Sequence, residues 1–352
     1  MKSRFWLKLC ASLAVGAVCV AYALAGVNGR EVVQALRELP LSSIGVYVLI
    51  LAVTHLFRTW RWEFLLRPLG VALPPGRLLA VSSVGFMAIL TLPVRLGEFV
   101  RPYLVARERH TRMSTALGTV AVERIVDGLL ISILFFVSYL ASAGDSFPRE
   151  LRVAAWLSLL GFLGLGAFLA LAQLWTEATI RIALRLSLLQ WLAPKQAAAA
   201  AERVRAVITG FRVLRDPRNL CAFLLQSIIY WGSNGLGMWY LARQMNLPIS
   251  AAAAFATMAF TGVVLTLPNA PGLVGQFHAA IKMGLLAYLP AAVVNGRGVA
   301  YAIVLHGVQT IWYVVVGMLA MLALSAGGRA PSLAAAVRAS NRAAEAPNLE
   351  VS

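Results

Sequence analysis

Three short stretches put ionisable or amide side chains into otherwise apolar sequence. The densest is Pro93-Val94-Arg95-Leu96-Gly97-Glu98-Phe99-Val100-Arg101-Pro102-Tyr103, where charges directly follow a helix-breaking proline. On a helical continuation Glu98 and Arg101 stand three apart and share a face with Arg95. Guanidinium groups there can grip the oxygens of an anionic head group, Glu98 balances part of their charge, and Tyr103 completes the candidate contacts. The same pattern also fits an interfacial loop whose arginines snorkel to the membrane surface.

The second stretch, Glu123-Arg124-Ile125-Val126-Asp127-Gly128, lies inside a long apolar run. Ionisable groups there are costly unless they pair or face a polar cavity. Glu123 and Asp127 are spaced i, i+4 and Arg124 reaches Asp127 at i, i+3, so one helix face would carry a mixed-charge cluster expected to pair with Arg95 or Arg101. It reads equally as a substrate site and as structural glue. The third stretch, Pro268 to His278, offers Asn269, Gln276 and His278 around a Pro/Gly break. His278 could titrate near neutrality and gate a proton, but a single histidine beside a glycine-rich turn is more simply a hydrogen-bonding group, the preferred reading. His306 and Gln309, again three apart in an apolar run, carry the same ambiguity.

Other chemistries find little support. No glycine-rich run leads into Lys and Ser or Thr, so no ATP site is expected. Cys10, Cys19 and Cys221 show no paired spacing, and no metal or other cofactor is expected.

The elements that must hold these groups follow from composition and loop charge. Of 352 residues 60% are hydrophobic and 13% charged, too apolar for a soluble globule. The net charge of +17 gathers between apolar stretches, as the positive-inside rule asks of cytoplasmic loops, and does not mark a nucleic-acid binder. Lys2, Arg4 and Lys8 precede an apolar run over 9–25, read as a retained first span in preference to a cleaved signal peptide. Further apolar stretches cover 41–57, 78–94, 115–141, 153–175, 220–242, 251–267, 271–294 and 299–324. Residues 58–77 (Arg58, Arg61, Arg67, Arg77) and 95–112 both read as cytoplasmic, so the stretch between them should enter the membrane and return.

Leu90-Thr91-Leu92-Pro93 recurs as Leu265-Thr266-Leu267-Pro268, and Leu73-Pro74 is echoed by Leu247-Pro248. Loop charge gives the two halves opposite orientation, the pattern of an inverted repeat with two broken segments facing one midplane site. The expected fold is therefore all-α: a polytopic membrane helix bundle of about six to eight transmembrane helices with two broken or re-entrant segments. A single membrane domain would occupy 1–325, with repeat halves near 41–142 and 220–325 joined by a span over 153–175 and a cytoplasmic amphipathic segment over 176–218. Residues 326–352 read as a disordered cytoplasmic tail. Both termini would be cytoplasmic, in a bacterial-type inner membrane.

Arg95-Leu96-Gly97-Glu98 with Arg101-Pro102-Tyr103, then Glu123-Arg124 with Asp127-Gly128, then Pro271-Gly272 with Gly275 and Phe277-His278, resemble the lysylphosphatidylglycerol synthase transmembrane-domain family, also called flippase-like. The resemblance runs over roughly residues 5–325. It implies a lipid-translocating membrane unit which, in fused members, sits beside a soluble aminoacyl-transferase domain; that activity does not transfer, because the 27 residues after Ser325 (352 minus 325) cannot encode such a domain. The leading expectation is a transporter rather than an enzyme: translocation of an anionic phospholipid, polyprenyl phosphate or hopanoid-type lipid between leaflets. Arg95, Arg101 and Arg124 would meet the phosphate, with Glu98, Glu123 and Asp127 tuning them. The alternatives are a non-catalytic membrane subunit for a separately encoded glycosyltransferase or aminoacyl-transferase, and an intramembrane lipid-modifying enzyme with a carboxylate as general base.

Overall fold

The computed structural model describes residues 2–92, 97–109, 111–141, 148–186, 194–267 and 270–326. Pro93, Arg95, Pro268 and Asn269 lie outside them, as does the tail beyond residue 326. The described secondary structure is helical: α1 (Lys2–Leu24), α2 (Gly29–Glu38), α3 (Leu41–Leu66), α4 (Pro75–Thr91), α5 (Val100–Arg109), α6 (Met113–Ala141), α7 (Arg149–Leu174), α8 (Thr176–Leu186), α9 (Pro194–Thr209), α10 (Pro217–Gln244), α11 (Ala251–Val264), α12 (Gln276–Leu286) and α13 (Ala291–Ala326). A π-helical turn over Val294–Gly298 interrupts α13 near its start.

Leu157, Leu160 and Phe168 on α7 and Ile311, Leu319 and Leu322 on α13 are exposed, the surface of a bundle solvated by lipid. Three helices are long and apolar enough to cross a membrane, Leu41–Leu69 (α3 with its terminal 3₁₀ turn), Arg149–Leu174 and Ala291–Ala326, and the pair Ser12–Leu24 and Gly29–Glu38, bent by 86°, makes a fourth if it is one span. Adding α6 and α10, which at 29 and 28 residues are as long but bury polar side chains in mid-helix, brings the described residues to the expected six, and the short hairpin helices come in addition.

One boundary differs from expectation in a way that matters. Residues 58–66 are not loop: α3 runs unbroken to Leu66, carrying Arg58 and Arg61 within the helix, and the chain turns only at Pro68 and at Gly70, whose φ is 73°. Loop charge misled here because Arg61 is fully buried and neutralised inside the protein, a case the positive-inside count does not cover.

Both broken segments form helical hairpins. In the first, α5 turns back along α4: a Cβ on Gly97 would lie 2.2 Å from the Ala88 carbonyl, one on Gly85 would lie 2.0 Å from Arg101 Cγ, and Arg77 and Glu108 pair at 2.8 Å across the open end. In the second, α12 returns along α11, with Gln276 Nε2 donating to the Val264 carbonyl at 3.1 Å and Gly284 pressed on Thr257. The turn between them needs Gly272 and Gly275, with φ of 71° and 82°, a region open to glycine at no steric cost.

The same succession of elements thus occurs twice: a long helix, a Leu-Pro turn, a hairpin and a closing long helix. Ser43 with Gln244, Thr54 with Ser233 and Arg61 with Ser227 pair across α3 and α10, so these leading helices run antiparallel. Each hairpin then packs on the closing helix of the other half, α4 on α13 through Gly317 and α11 on α6 through Gly262. This is the packing an inverted repeat produces.

Outside the two halves, α1 lies on α12, where buried Lys282 donates to the carbonyls of Tyr22, Ala23 and Ala25 at 3.2, 3.3 and 2.5 Å. An ammonium at a helix C-terminus meets carbonyls that no intrahelical N–H can reach. The described residues of the segment expected as one amphipathic helix form two helices, Thr176–Leu186 and Pro194–Thr209. α8 exposes Ile182 and Leu186, whereas α9 docks on the start of α6, where Gly118 and Gly210 let the two backbones touch. Arg205 ties α9 to Glu177 of α8 at 2.9 Å.

Candidate functional site

A buried charge network lies where the first hairpin meets α3, α6 and α10. Glu123 of α6 stands at its centre: Oε1 accepts from Arg61 Nη2 at 3.0 Å and from Arg124 Nη2 at 2.6 Å, while Oε2 accepts from Arg101 Nη2 at 2.6 Å. One turn on, Asp127 takes Arg61 in a two-pronged pair, with Nη2 donating to Oδ2 at 2.8 Å and Nη1 to Oδ1. Trp231 Nε1 of α10 donates to Oδ1 at 3.0 Å, and Arg124 Nη2 approaches Oδ2 at 3.3 Å. Glu123 and Arg61 are wholly buried, Arg101 and Asp127 nearly so, and the Arg124 side chain remains 30% exposed. Charges taken this far from water persist only when paired and hydrogen-bonded, which this arrangement achieves with helices from both halves.

Aromatic rings complete the shell. Arg101 lies over Trp62 at 4.5 Å and Phe86 at 5.1 Å, Arg61 over Tyr230 at 4.4 Å, and Arg58 over Phe86 at 4.0 Å. Desolvated cations gain from the negative faces of such rings. Trp62 is itself fixed by donating to Thr119 Oγ1 at 3.0 Å. Gly85 leaves the space through which Arg101 reaches Glu123.

Residues 9–317 match the family described as the lysylphosphatidylglycerol synthase TM region, a span that contains every residue of the network. The chain belongs to this family. As a lysylphosphatidylglycerol synthase TM-region protein it is an integral membrane protein of a lipid-associated class. It is also 23% identical over 328 residues to a protein of Haloferax volcanii named glycosyltransferase AglD, covering 85% of this chain and 51% of that protein. The chain spans about half the length of the curated relative it matches. No solved structure matches it.

Of the residues singled out from sequence in this TM-region protein, Arg101, Glu123, Arg124 and Asp127 come together. Glu123 pairs with Arg101, one of the two partners expected, and Arg124 reaches Asp127 at the predicted i, i+3 spacing. Glu98, half-buried at the hairpin turn, acts on Arg124 electrostatically. Arg95 and Asn269 lie outside the described residues. Tyr103 does not join the network; it packs in the apolar cluster around Trp62. Gln276 closes the second hairpin, and His278 meets Phe277 and His306 edge-on, the two imidazole centroids 4.8 Å apart. His306 Nε2 donates to the Gly272 carbonyl at 2.7 Å, so it serves the turn as a hydrogen-bonding group.

Sequence reasoning missed Arg61, which like Arg124 is bonded to both carboxylates, with its neighbours Arg58 and Trp62. A signal was available: no proline occurs between Leu41 and Pro68 and no glycine after Gly45, and Arg58 and Arg61 are three apart among Phe57, Trp60 and Trp62. That pattern marks one helix face more readily than a surface loop.

Proposed function

We propose that this protein moves a phosphate-bearing lipid between the leaflets of the membrane, with the arginine network as the head-group site and the two hairpins as the parts that alternate around it. The observation that carries the reading is a buried network in which arginines outnumber carboxylates, set where a re-entrant hairpin of one half meets helices of both. Membership of a lipid-associated membrane family supports the same substrate class. Glu123 and Asp127 each hold more than one guanidinium, a setting suited to positioning arginines and ill suited to general-base work, so transport is preferred to catalysis. In this reading residues 41–142 and 220–325 are the inverted halves of one domain, and both termini face the cytoplasm of a bacterial-type inner membrane.

The test is reconstitution into vesicles carrying head-group-labelled anionic phospholipid or polyprenyl phosphate in one leaflet. Wild type should speed transfer well above empty vesicles, and Arg101→Gln should abolish the gain. Transfer no faster than in empty vesicles for every lipid, with and without a proton gradient, refutes translocation.

A second reading has its own support. The Haloferax relative is named a glycosyltransferase and is about twice as long as the matched region. The chain could then be a membrane subunit presenting lipid to a separately encoded glycosyltransferase. Co-purification with such an enzyme, and loss of glycan transfer on deletion without loss of lipid flipping, would favour it.

A further inference from the structure

Resting on the head-group reading above, the network divides into arginines that are spent and arginines that are not. Arg61 uses Nη1 and Nη2 on Asp127 and Glu123, and Arg124 bonds both carboxylates. Arg101 gives Nη2 to Glu123, but its Nη1 is buried without a hydrogen-bond partner. Arg58 has no carboxylate partner among the described residues; its Nη1 donates to Tyr313 Oη at 3.2 Å, and its buried Nε is unpartnered. Arg61 Nε is also unbonded, although both its terminal nitrogens are committed.

The two unspent guanidiniums lie against the same aromatic ring. Arg58 lies 4.0 Å and Arg101 5.1 Å from the centroid of the same Phe86 ring, and the charge of Arg58 acts on Arg101. Among the described residues Arg61, Arg101 and Arg124 pair directly with Glu123 or Asp127, Arg58 feels Glu123 through space and Glu98 acts on Arg124, so four arginines stand against three carboxylates. Buried donors without acceptors and an uncompensated cation both ask for an anion. Arg58 and Arg124 are part-exposed while Arg61 and Arg101 are not, which puts the approach on the Arg58 side. Arg58 also reaches α13 through Tyr313, so a ligand held there touches both halves.

We propose that Arg58 and Arg101, which both lie against Phe86, are the pair that binds a single phosphate-ester group, while Arg61 and Arg124 hold Glu123 and Asp127 in place. The required ligand chemistry is one phosphate of low charge, carried by a lipid or free in solution.

The test measures binding of farnesyl phosphate, farnesol and inorganic phosphate to the full chain in lipid nanodiscs by intrinsic tryptophan fluorescence, Trp62 lying against Arg101. Farnesyl phosphate should bind, and farnesol at least about tenfold more weakly. Arg58→Gln and Arg101→Gln should each weaken farnesyl phosphate by about 10- to 100-fold, the worth of a charge-assisted hydrogen bond. Arg58→Lys should lose less, and the exposed Arg30→Gln nothing. Because Arg101→Gln strips Glu123 of a partner and can unfold, the decisive variant is the half-buried Arg58→Gln, checked for a monodisperse particle. Competition by inorganic phosphate at similar concentration supports the pair with a free anion as ligand; competition only at about a thousandfold excess supports it with a lipid head group, a factor of roughly 4 kcal/mol. Equal binding of farnesol and farnesyl phosphate, or wild-type affinity in a monodisperse Arg58→Gln, overturns the proposal. Binding that depends on Arg58 without any lipid flipping would instead sink the transport reading and leave the pair standing.

Discussion

Glu123 shows what a single side chain can hold in place. Its two oxygens serve three arginines arriving from α3, α5 and α6, so neutralising it leaves buried cations without a counter-charge. Glu123→Gln should therefore destabilise the protein by roughly 3–5 kcal/mol, read as a large drop in the thermal unfolding midpoint in detergent. Trp231→Phe removes only one donor to Asp127 and should cost about 1 kcal/mol. At the edge of the bundle Asp216 caps α10, accepting from the Asn219 backbone N–H at 3.1 Å and its side-chain amide at 2.6 Å, and these bonds hold its carboxyl below the usual aspartate value. Because the folded value is the lower one, the cap contributes above the unfolded aspartate's pKa of about 3.9 and loses its contribution as pH falls through the depressed value. Asp216→Ala should unfold earlier than wild type at neutral pH, and the gap should close in acid. At this scale the sequence was partly legible: Glu123, Arg124 and Asp127 stand out because charge inside an apolar run is expensive. Arg61 did not, because it follows the end of its apolar run, where an arginine looks like an ordinary loop charge.

Among the elements, the first hairpin depends on glycine where its two helices touch, at Gly85 and Gly97. Gly85→Leu would drive a side chain into Arg101, part α5 from α4 and break the Arg101–Glu123 pair. Its expected signature is protein that inserts in the membrane, unfolds well below the wild-type temperature and binds no farnesyl phosphate; wild-type melting would contradict the close packing. Gly118→Val should act elsewhere, pushing α9 off α6 where a Cβ would sit 2.1 Å from the Val207 carbonyl, and would be seen as faster protease cleavage over residues 176–215. Both hairpins could be anticipated from their Pro and Gly residues and from loop charge on either side. The extension of α3 to Leu66 and the division of 176–218 into α8 and α9 could not, since each is decided by tertiary burial, of Arg61 in one case and of Ala197, Ala206 and Ile208 in the other.

For the molecule as a whole, inversion makes a geometric claim. Because α3 and α10 run antiparallel, the open ends of the two hairpins should lie on opposite sides of the membrane. In a background lacking Cys10, Cys19 and Cys221, Arg107→Cys should react with an impermeant thiol reagent from one side and Ala291→Cys from the other; labelling of both from one side would exclude the arrangement. The repeated Leu-Thr-Leu-Pro pointed to this symmetry. The asymmetry laid over it was legible only in part, since the arginines gather in the first half while the second offers histidine and amide groups committed to its own turn.

Lys282 bears on how such a molecule is assembled in time. The carbonyls it caps belong to residues 22–25, made about 257 residues earlier, the difference between 282 and 25. At roughly 5–20 residues per second of synthesis, α1 waits on the order of ten to fifty seconds for the side chain that finishes its end. The end of α1 is thus secured only after Lys282 has been made, so a late element decides whether a much earlier one stays in place.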